Sequence, residues 1–504
     1  MSLPVAITGG RTSVARNTAW NLAGAVGPMA AAVIAVPILV RALGAERFGV
    51  FMIAMTLAGY LGVFDVGLGR AVTKLIADRI AIGRRAEAAS LLMTASALML
   101  AFGAATGCAL AVLARCAVFS VLAIPAQLRS ETLSAFYLLA AAVPILTTSA
   151  GFRGTLAGLQ RFDLINLVGI PIGMLLFLGP LSVLPFSHRL PWLVGALIAV
   201  RAAAGLAQLI FCARLLPELR ESGPAKSEIK PLLSFGGWVT ISNLVGPLLT
   251  YADRFVIGAV ISMEAVAWYA TPYEVAGRLW VVPGAVANAM FPAFAEGFAR
   301  KDGRHNVLLE RGLTFILLAM LPCVLVMVTF AREGLTLWLG PAFAQHSYRV
   351  LQWLAVGVLL NGVAWAPYAL IQAAHRPDLT AKVHVVEAVL YFVLLWLMTR
   401  RLGIQGAAVA RAVAAAADGV AILVITMVLF PASWSLVRNA SLAMVAASAL
   451  VALASLLPTE PIIKFAFLMV VLPGAFVLGW RYLPSNPIRR NVWEMPQPVE
   501  TADV

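Results

Sequence analysis

The feature that most constrains this chain is a series of long apolar stretches, separated from one another by short polar connections. Hydrophobic residues make up 61% of the 504 residues, charged residues only 12%, and the mean hydropathy is +0.91. A soluble domain of this length does not bury so much apolar surface. We therefore predict an integral membrane protein with little mass outside the bilayer.

The apolar stretches are continuous and long enough for membrane-spanning helices, since about 20 residues cross a hydrocarbon core of about 30 Å. They lack the alternation of barrel strands, so every span is predicted to be helical. Fourteen spans are predicted, at residues 18–40, 48–68, 90–113, 132–152, 164–184, 191–213, 234–260, 266–293, 308–331, 349–373, 382–399, 404–430, 438–457 and 462–480.

The distribution of Lys and Arg predicts the orientation, because cytoplasmic loops carry the excess of these residues. With the N-terminus inside, 23 of the 37 basic residues are cytoplasmic, 10 lie in outer loops, and four lie within spans. Both termini are then predicted to be cytoplasmic. The net charge of +14 reflects this topology and an affinity for anionic membrane lipids, so no nucleic-acid partner is predicted.

Internal similarity indicates a duplication of the kind found in transporters. Four features recur in the same order, with offsets that fall from 222 to 210 residues: NLAG at 21–24 and NLVG at 243–246, AERFGVF at 45–51 and MEAVAWY at 263–269, Arg161 with Asp163 and Arg376 with Asp378, and Arg201 and Arg411. The predicted domains are an N-terminal six-helix lobe at 1–218, a cytoplasmic linker at 219–232, a C-terminal six-helix lobe at 233–430, and two further helices with a cytoplasmic tail at 431–504.

Several motifs carry a family resemblance. The first spans contain Asn21, LGAERFG at 43–49 and DVGL at 65–68, and the second half contains YADRFVIG at 251–258 and MFPAFAE at 290–296. In these motifs the chain resembles bacterial polysaccharide-export flippases, the Wzx type within the MOP superfamily. The resemblance implies a V-shaped, two-lobed transporter that moves an undecaprenyl-diphosphate-linked oligosaccharide from the cytoplasmic to the periplasmic leaflet of the inner membrane.

Ionisable residues within spans are the candidates for contact with such a substrate, because a charged side chain in hydrocarbon is costly and usually lines an interior. Guanidinium groups suit a diphosphate, and two repeat-related arginines could form a cationic clamp. The alternative is that each arginine pairs within its own lobe, as Asp418 could pair with Arg411. The predicted substrate-binding residues are Arg201, Arg411, Arg278, Arg254, Asn21 and Asn243.

A second group of residues is predicted to act in coupling or gating. Asp65 ends the second span, where the helix dipole disfavours a carboxylate, so Arg70 or Lys74 is expected to hold it at an inner gate. Residues 70–89 are predicted to form a basic amphipathic helix on the inner leaflet. The other members of the group are Asp253, Glu274 and Asp418, with Glu387 a weaker candidate; Glu274 could instead form a structural ion pair with Arg278.

The remaining features favour a transporter over other classes. The outer loops are short and hold few acids, so no catalytic residue, metal site or bound cofactor is predicted, and the cysteines and histidines are assigned no role. The expected partners are the lipid-linked oligosaccharide and membrane lipids, with polysaccharide polymerase and export proteins as candidates. Coupling to H⁺ or Na⁺ stays open, as do two alternatives: a lipid II flippase and a MATE-type antiporter.

Overall fold

The computed structural model describes residues 11–61, 67–300, 305–458 and 460–482, without the side chains of 11–25, 60–61, 235–249, 299, 476 and 478–482. These parts of the chain are helical apart from short connections and contain no β-strand. The helices are α1 Arg11–Leu61, α2 Leu68–Ala81, α3 Arg85–Cys116, α4 Ala126–Gly158, α5 Phe162–Val183, α6 Leu190–Leu215, α7 Lys226–Val260, α8 Met263–Gly277, α9 Val281–Arg300, α10 His305–Thr329, α11 Ala331–Leu339, α12 Pro341–Gly362, α13 Trp365–Ala373, α14 Pro377–Leu429, α15 Trp434–Ser455 and α16 Pro461–Tyr482.

The helices have the length and composition of membrane spans. Within the described ranges, nine helical stretches are long and apolar enough to cross a bilayer. Large apolar side chains cover much of their outer surface, as expected for helices solvated by lipid. The predicted all-α membrane fold is confirmed, whereas the number of fourteen spans stays a prediction.

Two of the longest helices are each interrupted by a glycine. Gly44 in α1 (φ 73°) and Gly403 in α14 (φ 62°) adopt positive φ values, which a residue with a side chain rarely does. At Gly403 the chain folds back, because Gly406 lies against the carbonyl of Met398, and a straight helix would separate the two by about 12 Å. Both breaks fall between predicted spans, so α1 and α14 each contain two of them.

Prolines interrupt two other predicted spans. Pro283 cannot donate a hydrogen bond to the carbonyl of Leu279, and a 3-10 turn at residues 278–280 separates α8 from α9. In the same way, Pro367 removes the donor for the carbonyl of Val363, and the chain turns at 363–364 between α12 and α13. The spans predicted at 266–293 and 349–373 are therefore discontinuous.

The described chain forms two compact units that divide between Ala270 and Thr271. In the first unit α4 packs against α2, α3 and α6, while α7 packs against α1, α2 and α3. In the second unit α12 packs against α10, α11 and α14, and α13 packs against α9 and α14. The predicted limits of the two six-helix lobes stay a prediction.

Helix α2 corrects one expectation. Leu68, Ala71, Val72 and Ile76 are fully buried in a core that α3, α4 and α7 share with α2. The apolar face of this helix is therefore covered by protein, and the expectation of a helix lying on the leaflet was wrong. Amphipathic periodicity identifies an apolar face but does not distinguish lipid from protein as its cover.

Ion pairs join the helix ends of the first unit in two groups. The buried Glu131 of α4 lies 3.2 Å from Arg47 and 3.7 Å from Arg189, which both belong to connections predicted to be outside. At connections predicted to be inside, Arg79 pairs with Glu228 and Arg85 lies 2.8 Å from Glu218. The two groups agree with the predicted alternation of helix direction.

Candidate functional site

The first polar centre lies in the first unit, on α7. Asp253 and Arg254 are 0% and 2% exposed, so each needs a polar partner in the protein interior. Tyr269 donates a hydrogen bond to Asp253 Oδ2 at 2.6 Å, and Arg254 donates one to Thr56 Oγ1 at 2.5 Å. The Arg254 guanidinium also lies over the ring of Tyr251, 4.7 Å from its centroid. The two adjacent charges are thus held by different helices.

Arg201 has a different environment in the same unit. It is half-buried on α6, and its Nε atom is buried without a hydrogen-bond partner. A Cβ atom added at Gly59 would lie 3.9 Å from its Nη2, so the glycine leaves space beside the guanidinium. Within the described ranges, Arg201 forms no ion pair. A guanidinium held in this way retains its donors for an anionic ligand.

Arg411, the repeat-related arginine, lies in the second unit on the C-terminal half of α14. It donates a hydrogen bond to the Tyr273 hydroxyl at 2.9 Å. Its guanidinium carbon is 5.4 Å from the ring centroid of Tyr273 and 5.1 Å from that of Tyr391. Two aromatic rings therefore position this cation.

Asp418 is the centre of a polar cluster in the second unit. Asn361 donates a hydrogen bond to its Oδ2 at 2.6 Å, and His384 Nε2 lies 3.5 Å from its Oδ1. The alternative expectation paired Asp418 with Arg411, whereas these contacts hold it to α12 and to the N-terminal half of α14. Ligand atoms of His384, Glu387 and Asp418 all lie within 4.8 Å of one another. At this separation the three groups could coordinate one bound cation.

Aromatic side chains border this cluster. Trp365 donates a hydrogen bond to Asn361 Oδ1 at 3.3 Å, and its ring centroid is 5.6 Å from that of Trp280, with 35° between the planes. The ring of Tyr368 stacks against His384, with centroids 6.3 Å apart. Trp280, Trp365 and Tyr368 are all half-buried, so part of each ring remains accessible.

The remaining predicted residues are placed as follows. Glu274 and Arg278 are half-buried, at the end of α8 and in the turn that follows it, and their pairing stays a prediction. Arg70 is exposed on α2. Asp65 and the side chains of Asn21 and Asn243 lie outside the described residues, so the predicted gate and the asparagine contacts stay predictions.

Sequence reasoning overlooked several members of the cluster. It assigned no role to His384 and did not single out Asn361, Trp365 or Tyr368. A signal was present, because Asn361, Trp365 and Tyr368 follow one another at intervals of four and three residues, as do His384, Glu387 and Tyr391 at intervals of three and four. Such spacing places each group on one helical face.

The helices and the buried charges define a class, a multi-pass α-helical membrane protein with a polar centre inside each unit. A family model described as polysaccharide biosynthesis protein matches residues 14–298, more than half of the chain. The chain belongs to this polysaccharide biosynthesis protein family.

Two curated relatives cover most of the chain. A Shigella flexneri protein named as a candidate O-antigen transporter is 30% identical over 410 residues, which are 79% of this chain and 94% of that protein. A Haloferax volcanii protein named as a candidate low-salt glycan biosynthesis flippase is 22% identical over 75% of this chain and 76% of that protein.

Solved structures share the fold. The lipid II flippase MurJ in an inward closed conformation aligns with a TM-score of 0.67 at 11% identity, over 92% of this chain and 99% of that one. An inward-facing multidrug resistance MATE family transporter of the MOP superfamily aligns with a TM-score of 0.66 at 14% identity, over 82% and 99%. The chain therefore has the fold of MOP superfamily transporters.

Proposed function

We propose that this chain flips an undecaprenyl-diphosphate-linked oligosaccharide from the cytoplasmic to the periplasmic leaflet of the bacterial inner membrane, by alternating access. Family membership and the names of the two relatives support a glycan substrate. Both termini are proposed to be cytoplasmic, and polymerase or export proteins remain candidate partners. The protein is proposed to act as a transporter and not as an enzyme.

The observation that carries the proposal is the guanidinium of Arg201. A charge that is partly removed from water and forms no ion pair with the described residues is unfavourable, so its presence needs a compensating role. A diphosphate would supply two or more acceptor oxygens for the free donors. Arg411, Arg254 and Arg278 are the further cations proposed to contact the substrate.

Reconstituted flipping tests the proposal. Purified protein in liposomes that contain a lipid-diphosphate oligosaccharide is assayed by exposure of the sugar to an impermeant periodate or lectin probe. Wild-type protein should expose sugar from the protected leaflet, whereas Arg201→Ala should lose most of this activity. Arg214→Ala is the matched control, because Arg214 is exposed in the last turn of the same helix. Equal activity of wild-type and empty liposomes would refute the function.

Coupling to H⁺ or Na⁺ is proposed to involve the cluster of His384, Glu387 and Asp418. Buried acids and histidines within membrane spans commonly bind the coupling ion of a transporter. Asp253 and Glu274 remain the other proposed coupling residues, and Asp65 and Arg70 the proposed gate. Asp418→Asn should abolish the acceleration of flipping by an imposed Na⁺ or pH gradient; persistence of this acceleration would exclude Asp418.

The same acidic cluster favours one second candidate, a cation-coupled antiporter of the MATE type. An organic cation would bind to Asp418 and Glu387, whereas a lipid-linked anion would bind to the arginines. Uptake of ethidium by proteoliposomes under a pH gradient distinguishes the two candidates.

If lipid II is flipped in preference to other diphosphate-linked glycans, the chain is instead a lipid II flippase.

A further inference from the structure

The aromatic surface of the second unit comes from two interrupted helices. Trp280 lies in the turn before α9 and Trp365 begins α13, so the indoles meet where Pro283 and Pro367 break the helical hydrogen-bond ladder. The break at 363–364 falls inside the candidate span Pro341–Ala373. Irregular backbone at membrane depth is tolerated only where it is buried in protein or lines an aqueous cavity.

At 363–364 the first condition holds, because Val363 and Ala364 are 1% and 2% exposed. The indoles beside this turn are covered less completely. Both rings are half-buried, so the neighbouring protein does not cover them fully. Trp365 bonds to Asn361, which in turn bonds to the Asp418 carboxylate, and such a chain of polar groups is incompatible with exposure to acyl chains. The opposite face of α13, with Ala366, Leu370 and Ala373, is buried in apolar packing. The accessible parts of the rings therefore lie beside the polar pair of Asn361 and Asp418.

The polar groups beside the rings retain capacity for a ligand. Asp418 Oδ2 accepts a hydrogen bond from Asn361, whereas Asp418 Oδ1 is buried and lacks a hydrogen-bond partner. His384 Nε2 makes a long ion-pair contact of 3.5 Å with this oxygen, and the ring carries charge in it only when protonated. A buried carboxylate oxygen in this state favours a ligand that brings a hydroxyl donor.

Flat rings beside a hydroxyl acceptor match the chemistry of a sugar. One face of a pyranose ring presents C–H groups that pack on an aromatic face, and its rim presents hydroxyls that need acceptors and donors. A diphosphate carries no apolar surface that would stack on an indole. A polyprenyl chain carries no donor that would bind a carboxylate. An organic cation is disfavoured by Arg411, which shares this side of α14 with Asp418.

We propose that Trp280, Trp365 and Tyr368 form a binding surface for a sugar ring of the lipid-linked oligosaccharide. This inference rests on the proposed function. In this arrangement the ring stacks on the indoles, and a sugar hydroxyl donates to Asp418 Oδ1 while Asn361 holds the carboxylate in place. The aromatic surface of the second unit then binds the glycan part of the substrate.

The experiment compares two lipids that differ only in the sugar. Purified full-length protein is titrated with the lipid-linked oligosaccharide extracted from cells that carry this chain, and with undecaprenyl diphosphate that bears no glycan. Trp280→Leu and Trp365→Leu should each weaken binding of the glycolipid about tenfold, equivalent to about 1.4 kcal/mol, and change binding of the bare lipid less than about twofold. Arg201→Ala should weaken both lipids by a similar factor.

Controls separate loss of the sugar contact from loss of structure. Trp353→Leu is the matched variant, since Trp353 is 43% exposed on α12 and outside the surface, and it should bind both lipids as wild type does. Trp365→Phe keeps an aromatic face and should lose less affinity than Trp365→Leu. The phenylalanine variant keeps the test decisive if a leucine variant fails to fold.

The failures of the two proposals are distinguishable. If wild-type protein binds and flips the glycolipid, but the tryptophan variants weaken both lipids equally or neither of them, the sugar surface is overturned and the flippase stands. If wild-type protein binds neither lipid and flips no more than empty liposomes do, both proposals are overturned. If ethidium displaces the glycolipid by competition at these tryptophans, only the sugar surface is overturned.

Discussion

Arg201 and Arg411 occupy matching positions in the repeat predicted from the sequence but have different surroundings. The guanidinium of Arg201 lies beside Gly59 with its Nε unbonded, whereas that of Arg411 contacts the rings of Tyr273 and Tyr391. The charge is therefore common to both halves, while its environment has diverged. The two arginines therefore carry the same charge but differ in the side chains that hold them.

The turns before α5 and α14 are instead similar to each other. Gln160 and His375 have φ values of 56° and 58°, and the arginine that follows each one donates to an aspartate two residues further on. These hydrogen bonds raise the pKa of Arg161 and of Arg376 in the same way. The two turns thus share their local geometry, whereas the surroundings of the two intramembrane arginines differ.

The largest effect should separate the two arginines in transport. We expect Arg201→Ala to reduce the flipping rate about a hundredfold, because charge-assisted hydrogen bonds contribute about 1.5–3 kcal/mol. Arg411→Ala should reduce it only about tenfold, because the tyrosines already engage that guanidinium. Initial rates in proteoliposomes measure both, and equal losses would mean that the two arginines are functionally equivalent.

The buried pair on α7 should give the next largest effect. Tyr269→Phe removes the donor that lies 2.6 Å from Asp253 Oδ2, so the free energy of unfolding should fall by about 1–3 kcal/mol. Chemical unfolding in detergent measures the change. Tyr137→Phe is the control, since Tyr137 is 42% exposed in the same unit; a similar loss there would argue against a special role for the Tyr269 hydroxyl.

Replacement by methionine should change stability in opposite directions at the two arginines. Arg201→Met removes a partly desolvated charge without a partner, so the apparent Tm should rise by a few degrees. Arg411→Met removes a hydrogen bond and two cation–π contacts, so Tm should fall. Thermal unfolding of both variants is the measurement, and a fall at Arg201 would reveal a stabilising contact of that side chain.

The smallest effect should be equal in the two halves. Gln160→Gly and His375→Gly each relieve a positive φ, so each should stabilise the protein by about 0.5–1 kcal/mol. Ala150→Gly, in the regular part of α4, should instead destabilise it by about 0.5–1 kcal/mol. Unequal gains at Gln160 and His375 would show that the turns differ in ways the backbone does not reveal.

Much of the fold was accessible to sequence reasoning because lipid solvation acts on each segment separately. Hydropathy predicted an all-helical membrane protein, and the gaps between predicted spans coincide with the breaks at Gly44 and Gly403. Pro367 inside a predicted span indicates a kink, and the structure has a turn at 363–364. Whether a proline kinks a helix or interrupts it depends on which neighbours satisfy the freed carbonyl.

The intramembrane charges were identified from the sequence alone, because an arginine or aspartate inside an apolar run is costly wherever the run folds. Their partners were decided by tertiary structure. Asp418 contacts Asn361 and His384 rather than Arg411, and α2 packs its apolar face on protein rather than on lipid. The physical reason is that composition determines whether a segment enters the bilayer, whereas the rotation and packing of each helix determine what its side chains contact.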